Sequence, residues 1–251
     1  MTKSMEQLFV WSGGGLFVAS LGFGAYTYVV RWSGAAAPTD SWGPWVSNSL
    51  LLSLFAAHHS VFAREPVKRW LAGHVPDRLI RSVYVWIAAL LFLATCALWR
   101  PIGGELHDTH GWGAALLGLV QLVGLGFIAR SVATIDALDL AGIRQIQPSA
   151  RPQAEDPGQG GEAKGVSADR TVGLQITGPY RFVRHPLYFG WLLVTFGAPH
   201  LTGDRFAFAA LTTLYLVVAI PWEERSLIAS FGPDYERYMK AVRWRLLPYV
   251  Y

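Results

Sequence analysis

FAFAALTTLYLVVAIPW, residues 206–222, carries no charged side chain, and it is flanked by Asp204-Arg205 before it and Glu223-Glu224-Arg225 after it. A bilayer core about 30 Å thick calls for roughly 20 mostly apolar residues in a helix. The stretch therefore predicts a membrane segment. Gly203-Asp204 breaks the pattern just ahead of it, and a shorter apolar run of about fifteen residues, 187–201, lies before the break. The two runs read as a helical hairpin. Towards the N-terminus, further apolar segments follow at 112–134, 79–99, 45–63 and 8–32. The last of these is glycine-rich and has no charge between Glu6 and Arg31. Ser33-Gly34-Ala35-Ala36-Ala37 mimics a signal-peptide cleavage site, but the apolar run is too long for a secretory signal, so a retained segment is expected. Residues 147–172, rich in Pro, Gly, Glu, Asp and Lys, read as a flexible solvent loop. Residues 223–251 read as a charged amphipathic tail. The fold expected is all-α: one domain over 1–251, a polytopic integral membrane bundle of five to six transmembrane segments, closed by the hairpin and the cytoplasmic tail.

Composition supports this reading. Of 251 residues, 52% are hydrophobic and only 15% charged, against about 25% charged in an ordinary soluble domain. Mean hydropathy is +0.30. This argues against a soluble enzyme and excludes a largely disordered chain. The net charge of +4 invites a nucleic-acid reading, yet the basic residues are distributed as a membrane protein distributes them. With a cytoplasmic N-terminus and six crossings, only Arg31, Arg100 and Arg205 of the 21 Lys and Arg fall outside. The positive-inside rule then puts both termini in the cytoplasm, in an inner (plasma) membrane, with no call for nucleic acid. A single cysteine, Cys96, rules out an intrachain disulfide and a Cys-based zinc site, and its apolar neighbours make it packing.

The chemistry-bearing residues gather around the last hairpin. Gly178-Pro179-Tyr180-Arg181-Phe182-Val183-Arg184-His185-Pro186-Leu187-Tyr188-Phe189-Gly190 leads into its first helix, and Glu223-Glu224 closes its second. Pro186 fits the first position of a helix, where its missing N–H costs nothing. It also pushes the residue before it out of helical geometry, so Arg184 and His185 should form an extended lead-in. The helix N-terminus behind them favours an anion. Taken singly, an arginine here snorkels and the glutamates form surface ion pairs; taken together, they suggest a polar site at the membrane boundary. Asp136 and Asp139, three residues apart on one helical face, suit either a substrate wall or pairing with Arg130, Arg144 or Arg181. His58-His59 does not suit a metal, because adjacent helical residues point about 100° apart; His59 is expected to pack or hydrogen-bond. The Gly-rich stretch at 157–165 lacks the strand, the Gly-Lys-Ser/Thr ending and the following helix of a phosphate loop.

Arg184-His185-Pro186 followed by Glu223-Glu224 resembles the signature of the isoprenylcysteine carboxyl methyltransferase and phospholipid methyltransferase superfamily, over about 177–247. His59-Ser60-Val61-Phe62-Ala63-Arg64, Arg81-Ser82-Val83-Tyr84, Trp99-Arg100-Pro101 and Asp139 through Gln145 resemble its methanethiol S-methyltransferase branch, related to NnrU-like membrane proteins. Ile80, where that branch usually has an acid, and the long 147–172 loop depart from the pattern. The resemblance implies S-adenosylmethionine as cofactor, with no metal. Arg184 would take its carboxylate, His185 and Glu223 or Glu224 its other polar groups, Tyr180 and Tyr188 would line the pocket, Pro186 would open the helix and Gly190 would allow close approach. Arg64, Arg81 or Arg144 would favour a thiolate, and Asp139 would shape the acceptor's side. The acceptor implied is a small thiol such as methanethiol. The alternatives are a lipid-borne group (a prenylcysteine carboxylate or phospholipid amine) and a non-catalytic NnrU-like role. Membrane lipids are the expected surroundings, with no obligate protein partner.

Overall fold

The computed structural model describes residues 2–34, 37–62, 64–135, 137–146 and 174–251. It is mostly helical. In chain order the elements are α1 (Lys3–Tyr26), α2 (Gly43–Phe62), α3 (Glu65–Ala72), α4 (Asp77–Ala97), β1 (Glu105–Asp108), α5 (Gly111–Ile135), α6 (Ala137–Leu140), α7 (Pro186–Phe196), β2 (His200–Thr202), α8 (Gly203–Phe231) and α9 (Pro233–Ala241). Among the described residues, four helical stretches are long and apolar enough to cross a membrane: Lys3–Arg31, Asp77–Ala97, Gly111–Thr134 and Gly203–Phe231. The solvent loop expected at 147–172, and Asp136, lie outside the described residues.

The second expected segment forms α2, 20 residues long, whose Asn48, His58, His59 and several serines dilute its hydropathy. The fifth forms α7, only 11 residues and so about 16 Å long. It ends at Phe196 rather than Leu201, because Gly197 caps it and Pro199 cannot continue it. The chain instead reaches β2, which pairs antiparallel with β1. This two-stranded clasp closes the end of the bundle opposite Glu223. The polar sequence of β1, Glu-Leu-His-Asp, gave no apolar signal of it.

Side chains explain the packing. α7 lies along α5, α1 along α4, and α2 against α4. Gly124 of α5 and Gly190 of α7 let the two backbones touch: a Cβ at Gly190 would stand 2.6 Å from the Gly124 carbonyl oxygen. Near the clasp, Tyr28, Trp32, Trp99 and Phe208 form an aromatic core, with the Trp32 and Trp99 rings 4.7 Å apart. Towards the other end, Leu192, Leu216, Ile220 and Leu246 pack beneath Tyr188. On α5, Trp112, Leu116, Leu119 and Leu122 stay exposed, as apolar side chains facing lipid do.

Two buried charges at the clasp are fully engaged. Asp204 accepts from Trp99 Nε1 at 2.8 Å, Ile102 N at 2.9 Å and Gly103 N at 3.2 Å. Arg205 donates to the carbonyls of Tyr28 at 2.9 Å, Val29 at 2.8 Å and His200 at 2.6 Å. Tyr28 and Val29 belong to a wide π-helical turn, Thr27–Arg31, that extends α1. Arg205 supplies donors to carbonyls of that turn.

Candidate active site

The site is built where α7 begins, where α8 passes its acidic pair, and where the C-terminal segment returns. Pro186 does open α7, and the backbone ahead of it leaves helical geometry at His185 (φ −120°, ψ 66°) without being fully extended. The N–H groups of Arg184 and His185 donate to the carbonyls of Trp244 and Arg245, both at 2.9 Å. The last ten residues thus form the far wall of the lead-in. α8 does not end at Glu223-Glu224. It continues to Phe231 because the residues that follow favour helix, and it stops at Gly232 (φ +54°) and Pro233. Both glutamates therefore sit within a rigid helix, opposite the lead-in.

Glu224 is the hub. Arg184 Nε donates to its Oε1 at 2.6 Å and Arg245 Nε to its Oε2 at 2.9 Å. Arg184 Nη1 also donates to the carbonyls of Val242 at 2.9 Å and Arg243 at 2.8 Å. Arg184 and Glu224 are buried, their side chains 6% and 3% exposed. A buried ion pair survives only with such saturation of its donors and acceptors. Arg184 is thus tied to the acid and to the C-terminal segment. Arg245, a third exposed, keeps part of its guanidinium open, next to the Tyr251 ring.

Glu223 differs. Its side chain is 42% exposed, and its Oε2 accepts from the Tyr188 hydroxyl at 3.1 Å. The His185 ring stacks on Tyr188, centroids 5.5 Å apart and nearly parallel. His185 Nδ1 stands 3.7 Å from Glu223 and Nε2 3.5 Å from Glu224, both long for hydrogen bonds. Nε2 is buried with no closer hydrogen-bond partner among the described residues. A buried ring nitrogen beside a carboxylate, lacking a well-formed bond, suits a ligand that supplies one.

Tyr180 lies half-buried on the turn before the lead-in, where its carbonyl accepts from the Tyr238 hydroxyl at 2.7 Å. Burial pushes the phenols of Tyr235 and Tyr238 above their ordinary range, so both stay neutral near pH 7. Gly190 faces Gly124, so the close approach it permits is between α7 and α5. Arg64 stacks over the Trp222 ring, 5.8 Å from its centroid, which brings it beside the residue preceding Glu223. Arg144 is exposed on a short turn beyond α6, which packs with Val10 and Leu79 on the α1–α4 flank. Asp139 belongs to α6; its side chain lies outside what the structure describes. Arg245 and the carbonyls of 242–245 were missed in the sequence, since a lone arginine in a basic tail carries no motif.

Residues 166–229 match the model of the isoprenylcysteine carboxyl methyltransferase (ICMT) family. Methanethiol S-methyltransferase 2 of Bradyrhizobium diazoefficiens is 38% identical over 90% of this chain and 82% of its own. The methanethiol S-methyltransferase of Mycobacterium tuberculosis is 32% identical over 81% and 78%. Nurim of Bos taurus is 28% identical over 70% of this chain and 65% of its own. No solved structure matches. Four long apolar helices and likeness over most of the chain agree: the chain belongs to the isoprenylcysteine carboxyl methyltransferase superfamily of membrane methyltransferases, in the methanethiol S-methyltransferase branch.

Proposed function

We propose that the protein moves a methyl group from S-adenosylmethionine to a small thiol, the acceptor being methanethiol and the product dimethyl sulfide. The observation that carries the donor's place is the His185 ring, its Nδ1 facing Glu223 and its buried Nε2 facing Glu224 without a hydrogen-bond partner among the described residues. Bound there, S-adenosylmethionine supplies a methyl group made electrophilic by its sulfonium charge.

The chain's own groups divide the work. Glu223, with its exposed carboxylate, accepts from the ribose diol or the amino group. His185 completes a bond to the same ligand, and Tyr188 and Tyr180 give an electron-rich wall against a cation. Arg245 keeps donor capacity for the ligand's carboxylate. Arg184 acts through what it holds: it fixes Glu224 and draws the 242–245 segment over the lead-in. Arg64, beside Trp222, adds positive charge where a thiolate would form. The site faces the cytoplasm, at the end of the bundle where the basic residues cluster. The relatives' names support the thiol acceptor.

Calorimetry of the detergent-solubilised protein with S-adenosylhomocysteine tests the donor site. Headspace gas analysis after adding methanethiol and S-adenosylmethionine tests the acceptor. Binding with dimethyl sulfide release is expected. Binding without it would overturn the thiol in favour of a lipid-borne acceptor, and no binding would overturn the enzyme reading.

A further inference from the structure

We propose that His59 takes the proton from the thiol acceptor, and that a file of polar groups from Tyr188 to Tyr84 forms the acceptor's half of the site; this rests on the thiol reading above. The file crosses four helices. Tyr188 of α7 donates to Glu223 on α8, the helix that carries Tyr215. The Tyr215 hydroxyl lies 3.5 Å from Ser60 Oγ on α2. The His59 ring meets the Tyr215 ring edge-on, centroids 6.3 Å apart, and its Nδ1 is hydrogen-bonded with the Tyr84 hydroxyl. From Glu223 back to Tyr215 is eight helical residues, so the file runs about 12 Å into the bundle. Polar groups there are costly, and in membrane proteins they mark substrate and proton paths.

The two adjacent histidines differ in surroundings. His58 is buried against Phe62 and Tyr84, with Nε2 3.3 Å from the Tyr84 carbonyl oxygen, and is a packing residue. His59 keeps part of its side chain exposed on α2, and Phe55 stacks on its ring. If Nδ1–H donates to the Tyr84 oxygen, Nε2 keeps a lone pair. The groups facing His59 are His58 on its own helix, Tyr84 and Arg81 on α4, and Tyr215 on α8; Tyr188 and Glu223 lie further along the file. The Arg81 guanidinium sits over the Tyr84 ring, 5.5 Å from its centroid, and its charge favours a thiolate nearby.

At pH 7 an alkanethiol is almost wholly protonated, whereas an ordinary imidazole is largely a free base. The S–H bond breaks and its proton goes to His59 Nε2. The thiolate sulfur forms the new S–C bond as the methyl–sulfonium bond breaks, its electron pair staying on the donor's sulfur. The positive charge lost from the donor ends on the imidazolium, which gives up the proton along the polar file towards Glu223 before the next turnover.

The test uses the full-length protein in detergent, with methanethiol and with thiophenol, a thiol acidic enough to ionise without help. In His59→Gln, methanethiol methylation at pH 7 should fall by about a hundredfold, the usual weight of a general base. The residual rate should climb about tenfold per pH unit while the medium supplies thiolate. Thiophenol methylation should stay within about threefold of wild type, and S-adenosylhomocysteine affinity within about twofold. A loss under threefold with methanethiol, or an equal loss with both thiols, would overturn the assignment. Should His59→Gln fail to bind S-adenosylhomocysteine, Tyr84→Phe is judged instead, by the same difference between the two thiols. Wild-type protein that binds S-adenosylhomocysteine but makes no dimethyl sulfide removes the thiol reading and this proposal with it. An active wild type with an unselective variant removes only His59.

Discussion

Glu224 is 3% exposed and receives a guanidinium on each oxygen, whereas its neighbour Glu223 is 42% exposed and receives one phenol. The same residue type therefore does two jobs, and substitution should separate them. Glu224→Gln leaves the buried Arg184 charge uncompensated, and breaking a buried pair in this way costs about 3–5 kcal/mol. Thermal unfolding in detergent should show a large drop in midpoint. Glu223→Gln sits in water's reach and should change stability by less than about 1 kcal/mol. It removes a charged acceptor from the ligand, though, so calorimetry should show S-adenosylhomocysteine affinity falling by about ten- to a hundredfold. Equal destabilisation by the two substitutions would contradict the hub. At this scale the sequence was legible where residues adjoin: Arg184-His185-Pro186 and Glu223-Glu224 announce themselves. It was silent where partners lie far apart, as Arg245 and Glu224 do, or His59 and Tyr84, because hydrogen bonds across a fold leave no local pattern.

Among the elements, α5 and α7 depend on one close contact. With a Cβ at Gly190 placed 2.6 Å from the Gly124 carbonyl oxygen, Gly190→Val must push the helices apart. α7 carries the lead-in, so the displacement reaches His185 five residues away. The expected outcome is loss of S-adenosylhomocysteine binding together with a lower unfolding midpoint, by about 1–3 kcal/mol as overpacking usually costs. Normal binding in a stable variant would show that α7 is positioned from elsewhere. Apolar runs located α1, α4, α5 and most of α8 in the sequence, because lipid demands long uninterrupted helices. The true ends were harder to read. α8 outruns its apolar stretch by nine residues past Trp222, since helix formers continue where hydrophobicity stops. α7 falls short of its own at Gly197, and the β1–β2 clasp joins polar segments nearly a hundred residues apart.

At the scale of the whole molecule, charge asymmetry argues for orientation, and the structure refines that argument. Three arginines fall at the clasp end in the six-crossing scheme: Arg31, Arg100 and Arg205. Arg205 is 7% exposed and bound to three carbonyls, and Arg31 Nη1 donates to the Cys96 carbonyl at 3.1 Å. Both serve packing, so they weigh little against retention of the other end in the cytoplasm. The clasp should therefore face outward, with α9 and the Arg184–Glu224 hub inside. Single cysteines introduced into a Cys96→Ala background check this: His110→Cys just after β1, and Asp234→Cys in α9, both at exposed positions. A membrane-impermeant maleimide added to intact cells (to spheroplasts where an outer envelope intervenes) should label His110→Cys, and should label Asp234→Cys only after lysis. The reverse pattern would turn the molecule over and place the donor site on the side of the membrane where S-adenosylmethionine is not made.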